Sequence, residues 1–199
     1  VHAPPPLTRR TRKRNERRDR VYAAAVELFV EQGFDATSMD EIALRSGVAR
    51  TTVFNHFPRK ALFLDEWARR RREAAARSLD AADPAGRSLR ELLGGYLAAL
   101  AALNVATRGE TTALMEVALR NSNTLLGHDL GEELAELIAA GGARLRPSAD
   151  PTRVGRLLSL GYYSAVVRWI HVEPPPFDLA AELAALLDTV LDGALADRG

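Results

Sequence analysis

The sequence predicts an all-α protein, with three N-terminal helices followed by a larger helical body. Three observations predict it. From residue 14 onward, apolar side chains recur at spacings of three and four. Runs of β-branched residues are rare, and no stretch carries a strand pattern or an internal repeat. Glycine and proline then cut the chain into pieces of helix length.

The elements follow in order. A first helix over residues 14–32 puts Val21, Ala25, Leu28 and Phe29 on one face, and Gly33 can take the positive φ that closes a helix. Ser38 is the expected N-cap of a short helix over 39–46, with Glu41 three residues on completing a capping box. Gly47 ends that helix, and a third runs over 50–56 until Pro58 interrupts the backbone. A long helix is expected over 59–81, closed by the turn Asp83-Pro84-Ala85-Gly86. Further helices are expected over 89–107, 110–121, 129–145, 152–171 and 179–196. Breaks fall at Gly109, at 123–127, at 147–151 and at 174–176.

A chain of 199 residues can bury a substantial core. Cysteine is absent, which excludes a disulfide framework, a thiolate metal site and a thiol nucleophile. No uninterrupted apolar run approaches the roughly 20 residues that span a bilayer, and Pro4 to Pro6 lead into basic residues with no signal-peptide core. The expected location is cytoplasmic, with no membrane partner. The net charge of +1 hides an asymmetry: residues 1–80 carry +6 and the remainder −5. A basic first part on an acidic second part suits a polyanion at one end; a solvated charged face fits the same numbers.

Residues 37–57 read TSMDEIALRSGVARTTVFNHF. Two short helices around a glycine turn form a helix-turn-helix, whose second helix can enter a major groove. Ile42, Ala43, Val48 and Val53 are spaced to make its small core, leaving Arg50, Thr51, Thr52, Asn55 and His56 on the outer side. The stretch from Val21 to Leu62 resembles the DNA-binding domain of the TetR/AcrR transcriptional regulators. The matching residues include Ala24, Leu28, Phe29, Gly33-Phe34, Ala36-Thr37-Ser38, Ile42-Ala43, Gly47-Val48, Thr52, Phe54, His56-Phe57, Lys60 and Leu62. They cover about a quarter of the chain.

The resemblance implies a homodimeric, ligand-responsive regulator of the repressor kind, acting on a palindromic double-stranded operator without a cofactor or metal. By position it puts Arg50 and Thr51 at base edges, Arg50 against O6 and N7 of a guanine and Thr51 against a thymine methyl. Thr52, His56 and Lys60 fall where the family contacts phosphate, and Ser38 offers its hydroxyl and helix N-terminus to another. Two departures stand out. Phe54 replaces the usual Tyr and loses a phosphate hydrogen bond, and Ala49 replaces a Ser that would cap the third helix. Phe54 and Phe57 read as core ahead of DNA contact, His56 equally as a residue fixing the helix end, and Lys60 taken alone as a surface lysine.

The expected division is a disordered basic arm over 1–13, a DNA-binding domain over 14–60 and a ligand-binding and dimerisation domain over 61–199. Arg9 to Arg14 in the arm can extend the footprint along DNA, or remain a solvated tail. Arg69 to Arg72 reads as a solvated face flanking DNA. The last two helices suit a dimer interface, through Leu179, Leu183, Leu186, Leu187, Val190 and Leu191 on one and Val154, Leu158, Tyr162, Ala165, Val166 and Trp169 on the other. A monomeric core is the alternative. Trp67, Tyr96, Leu100, Met115, Leu119 and Tyr162 are candidates to line a cavity for an unidentified small-molecule effector, with Glu116, Arg120 or Asn121 adding polarity.

An all-α enzyme is the rival reading. It needs a convergent catalytic cluster, whereas His2, His56, His128 and His171 are scattered without metal-ligand spacing. A DNA-binding protein with no small-molecule control is a third reading, and activation rather than repression a fourth.

Overall fold

The computed structural model describes residues 8–80, 86–121, 129–141, 145–147 and 149–195. Nine helices occupy the described residues: α1 (Arg9–Gln32), α2 (Met39–Ser46), α3 (Arg50–His56), α4 (Ala61–Asp80), α5 (Leu89–Ala106), α6 (Arg108–Asn121), α7 (Asp129–Ala140), α8 (Pro151–Ile170) and α9 (Leu179–Ala194). The all-helical expectation holds.

Local chemistry accounts for most boundaries. Ser38 accepts from the Glu41 N–H while the Glu41 carboxylate accepts from the Ser38 N–H, the reciprocal box expected at the start of α2. Ser88 and Glu91 repeat it at α5. Gly47 ends α2 at φ 66°, ψ 33°, a left-handed conformation open to glycine at little cost. Ala49 caps α3 without any side-chain bond, as its identity implies.

One boundary differs strongly. The first helix starts at Arg9, not at residue 14, with the Thr8 hydroxyl accepting from the Thr11 N–H. Residues 9–13 are therefore helix rather than disordered arm. Arginine and lysine are good helix formers, and a threonine cap stands before them, so no apolar periodicity is needed to extend the element. The expected arm residues 1–7 lie outside the described residues, as do positions 83–85 of the predicted turn, the 123–127 break and His128. The expected break at Gly109 falls instead at Thr107, which caps α5, and α6 runs through the glycine.

The head packs α1, α2 and α3 around Val21, Ala25, Phe29, Ile42, Val53 and Phe57, all buried. Phe63, from α4, stacks on Phe57 at 4.0 Å between ring centroids and so joins head to body. The body buries Leu93, Leu97 and Leu100 of α5, Leu114 of α6, Leu130 and Leu134 of α7, Leu158 and Val166 of α8, and Leu183, Leu187 and Leu191 of α9. The helix α5 is long and apolar enough in composition to cross a membrane. Here it packs against α4 and α9, with Asn104 fully buried and bonded.

The α7–α8 contact is unusually close. A Cβ on Gly155 would lie 2.3 Å from the Gly131 carbonyl oxygen and 2.8 Å from the Ala135 nitrogen. Only a residue without a side chain allows backbones to approach like this.

Candidate nucleic-acid interface

The third helix turns Val53 fully into the core and leaves Arg50, Thr51 and Asn55 exposed. Thr52, Phe54 and His56 are half-buried on its flanks. That division follows from the 100° step of a helix: anchoring Val53 and Phe57 on one side frees the opposite side. Exposed guanidinium, hydroxyl and amide groups thus stand on one convex helix face, the arrangement needed to reach base edges.

Arg50 already has company. Its Nη1 donates to Asp40 at 3.1 Å, and its Cζ lies 5.3 Å from the Phe54 ring centroid. Phe54 therefore acts as a rest for the arginine, a role that neither the core nor the DNA-contact reading covers. Both members of the Arg50–Asp40 pair are well exposed, so the pair stabilises little and restrains the arginine loosely.

The extended α1 lies beside this face. Arg9, Arg10, Lys13, Arg14 and Arg17 bound a cleft of about 990 Å³ whose other wall includes Thr52, Asn55 and His56. Burial lowers the His56 pKa below its ordinary value, and the cations Arg14, Arg18 and Arg17 lower it further. Both effects favour the neutral imidazole. Ser38 is exposed at the N-terminus of α2, but its hydroxyl is engaged with Glu41.

Lys60 corrects an expectation. Its Nζ donates to the carbonyls of Phe34 at 2.6 Å, Thr37 at 2.9 Å and Asp35 at 3.3 Å. An ammonium has three N–H groups, and three carbonyls of the α1–α2 turn use them. The residue ties that turn to the start of α4 instead of pointing at phosphate. It also stands 4.5 Å from the Phe34 ring centroid.

The arginine run 69–72 divides in two, correcting its reading as a solvated face. Arg69 and Arg70 meet Glu66, which is 4% exposed and also accepts two bonds from Arg18 of α1, at 2.8 and 3.0 Å. Burial alone would raise the Glu66 carboxyl, yet the hydrogen bonds from Arg69, Arg70 and Arg18 override it and hold the group at about 2. Arg70 also pairs with Asp19 and covers the Tyr22 ring. This knot couples α1 of the head to α4.

Arg71 and Arg72 point inward and are buried. Arg72 donates to Glu133 of α7 at 2.8 Å, and the Tyr96 hydroxyl donates to the same carboxylate at 2.6 Å. Arg71 lies against Trp67, 4.5 Å from the ring centroid. Both arginines help line an interior void of about 20 Å³, together with Trp67, Leu100, Met115, Ala118, Leu130, Tyr162 and Tyr163.

Four of the six expected cavity residues therefore meet there: Trp67, Leu100, Met115 and Tyr162. Tyr96 is drawn off to Glu133, and Leu119 is half-buried outside the lining. Sequence reasoning missed the two arginines. A signal existed: Leu64, Trp67, Arg71 and Ala75 are spaced three, four and four apart, one buried stripe. Among the described residues no group of three acidic or histidine side chains is placed to hold a metal.

The expected dimer residues also need correction. Leu179, Leu183, Leu187 and Leu191, with Val154, Leu158, Tyr162, Ala165, Val166 and Trp169, are buried within this chain's own body. Apolar breadth alone did not separate core from outer face. What α8 exposes is Leu157 and Leu160, at 57% and 48%.

Comparison with known proteins agrees with this geometry. Residues 21–66 match the family described as bacterial regulatory proteins, tetR family. Over 47 residues the chain is 47% identical to the HTH-type transcriptional activator FasR of Mycolicibacterium smegmatis, a match covering 24% of this chain and 22% of that protein. Among solved structures, Thermus thermophilus FadR, a TetR-family transcriptional repressor in complex with lauroyl-CoA, superposes with TM-score 0.66 at 29% identity. That match covers 92% of this chain and 97% of the other. SmeT, the repressor of the Stenotrophomonas maltophilia efflux pump SmeDEF, has the same fold: TM-score 0.67, 22% identity, covering 90% and 91%. Residues 21–66 thus carry the DNA-binding head described for the tetR family, and the helical body behind it shares the fold of the TetR-family repressor FadR.

Proposed function

We propose that this protein is a sequence-specific, ligand-responsive repressor that binds a palindromic operator as a homodimer in the cytoplasm. The observation that carries the reading is the outward face of α3, with Arg50, Thr51 and Asn55 exposed on a head whose core is otherwise closed. Arg50 reads a guanine edge and Thr51 a thymine methyl, once Arg50 exchanges Asp40 for DNA. Thr52, Asn55 and His56 contact the flanking backbone, and Ser38 adds the N-terminus of α2. Arg10, Lys13, Arg14 and Arg17 follow the phosphates beyond the groove, as the cleft they share with α3 suggests.

One head reads one half-site, so a second copy is required for an operator with two-fold symmetry. The dimer forms through the outer faces of α8 and α9. Leu157, Leu160, Gly161, Ser164 and Arg168 fall at the i, i+3, i+4, i+7 and i+11 spacing of a single stripe. Gly161 lets α9 come close, since a Cβ there would lie 2.5 Å from a Leu186 methyl.

The effector enters the body where Trp67, Leu100, Met115 and Tyr162 meet. Because α4 carries both Trp67 and Glu66, a change in its position is passed to α1 through Arg18. Effector and operator then favour different spacings of the two heads, and each shifts the population away from the other. The repressing sign is supported by FadR and SmeT, described as repressors; FasR is described as an activator.

Selection of bound duplexes from random DNA tests the reading, together with sedimentation of the complex. The expected result is an inverted repeat with half-sites about one helical turn apart and a complex containing protein in even number. Binding to every duplex alike at moderate salt would overturn it.

A further inference from the structure

Arg71 and Arg72 are neighbours in the chain and are both buried, yet they are neutralised very differently. Arg72 has the Glu133 carboxylate at 2.8 Å. Among the described residues the carboxylate paired with Arg71 is Glu110, 3.8 Å from Nη1 and itself 37% exposed. Its other partners among the described residues are neutral: the Trp67 ring and four oxygens. Its Nη2 faces Thr107 Oγ1 at 2.7 Å, Thr111 Oγ1 at 2.8 Å, and Asn104 Oδ1 and the Leu103 carbonyl at 3.2 Å. Four acceptors thus compete for two N–H groups on that nitrogen.

The opposite is true at the other end of the guanidinium. The Arg71 Nε–H meets no acceptor among the described residues, and neither does the Trp67 indole N–H. Both side chains are more than nine-tenths buried, and both line the same void. Burial pulls the Arg71 pKa below its ordinary value, with Glu110 acting against that pull. An arginine nevertheless keeps its proton at neutral pH. The interior of the body therefore holds a weakly compensated positive charge beside two vacant donors.

A buried charge is costly without a counter-charge and complete hydrogen bonding. Neutral water can satisfy the two donors but cannot supply the missing negative charge. An anion does both. Apart from Arg72, which pairs with Glu133, the rest of the lining, including Leu100, Met115, Ala118 and Leu130 with the tyrosines, is largely apolar.

We infer that the effector is an amphipathic carboxylate, its anionic group buried against Arg71 and Trp67 and its apolar part among Leu100, Met115, Ala118 and Leu130. This rests on the reading of the body as an effector-binding domain and adds the chemical class of the ligand. The void has room for about one water molecule, so the apolar part opens the interior as it enters. An acyl thioester, whose ionised groups lie on the far side of a bulky head, presents a neutral end to Arg71 and binds differently from the free acid.

The test uses full-length protein, dodecanoate, dodecan-1-ol and dodecanoyl-CoA, with binding by calorimetry and DNA release by fluorescence anisotropy measured separately. Dodecanoate should bind about tenfold or more tighter than the alcohol, a difference of the size expected for a charge-assisted hydrogen bond, and tighter than the thioester. Arg71→Met should abolish the preference for the acid over the alcohol. Arg71→Lys, which keeps the charge but loses the fork, should retain part of it and guards against a folding defect in the first variant.

Equal affinity for acid and alcohol, a preference that survives Arg71→Met, or no binding of dodecanoate overturns the inference. Tighter binding of the thioester overturns it too and places the ionised groups elsewhere. If dodecanoate binds with the expected Arg71 dependence but leaves DNA affinity unchanged, the inference about the ligand stands and the regulatory reading fails.

Discussion

The Lys60 ammonium donates to the Phe34 carbonyl oxygen at 2.6 Å, joining the end of α1 to the residue just before α4. With Thr37 and Asp35 also accepting, a single charge closes the turn between α1 and α2 from the outside. Lys60→Met should therefore lower the stability of the head by about 1.5–3 kcal/mol, the range for hydrogen bonds to a charged group. Denaturant unfolding followed at the head measures it. An unaltered midpoint, with a salt dependence of DNA binding reduced by about one ion, would return Lys60 to the phosphate backbone.

Arg50 and Asp40 predict a pair of opposite effects. Arg50→Ala should relax specificity at one base position, at a cost of about 1–3 kcal/mol against the preferred base. Asp40→Asn should leave stability nearly unchanged, because the pair is exposed, and should release the arginine toward DNA. Binding arrays on single-base operator variants read both. A uniform loss across all bases for Arg50→Ala would place it on phosphate.

Glu66 gives a prediction in pH. The fold holds its carboxyl at about 2, below the ordinary 4.5. A lowered carboxyl pKa contributes stability that is complete above the unfolded value and vanishes as pH falls through the folded one. The stability gap between the parent protein and Glu66→Gln should be widest near neutrality and shrink from about pH 4.5 toward pH 2. Urea midpoints across that range test it, and a gap independent of pH would mean that the carboxylate charge is not what the knot uses.

The first turns of α1 predict a change in ionic response. Replacing Arg10, Lys13, Arg14 and Arg17 by Gln should flatten the dependence of operator affinity on salt by roughly one unit for each phosphate no longer neutralised. The preferred sequence should not change. Unchanged slopes would make these residues a solvated flank.

Features set by neighbours in the chain were readable from the sequence. Ser38 with Glu41, Gly47, and Ala49 without a cap each gave a boundary that the structure reproduces. The start of α1 was not, since an arginine-rich stretch lacks the apolar periodicity that marks a helix, although Thr8 stood there as a cap. Nor was Lys60, whose partners are 23 to 26 residues away. Four consecutive arginines at 69–72 looked alike in composition, but a helix turns 100° at each step. It sends Arg69 and Arg70 to Glu66, and Arg71 and Arg72 into the body. On α8 and α9 the reverse difficulty arose, because leucine and valine on one broad face do not say which of them look inward.

The contact at Gly155 bears on how the interior can swell. With Gly131 and Gly155 touching main chain to main chain, α7 and α8 form one stiff wall. A guest between them and the opposite side gains room by displacing α4, α5 or α6, the other panels around Arg71. A displacement of α4 would reach the head, because Glu66 of α4 holds Arg18 of α1. Substituting alanine at Gly155 would pry the stiff wall apart and give the guest a second way in, leaving α4 unmoved.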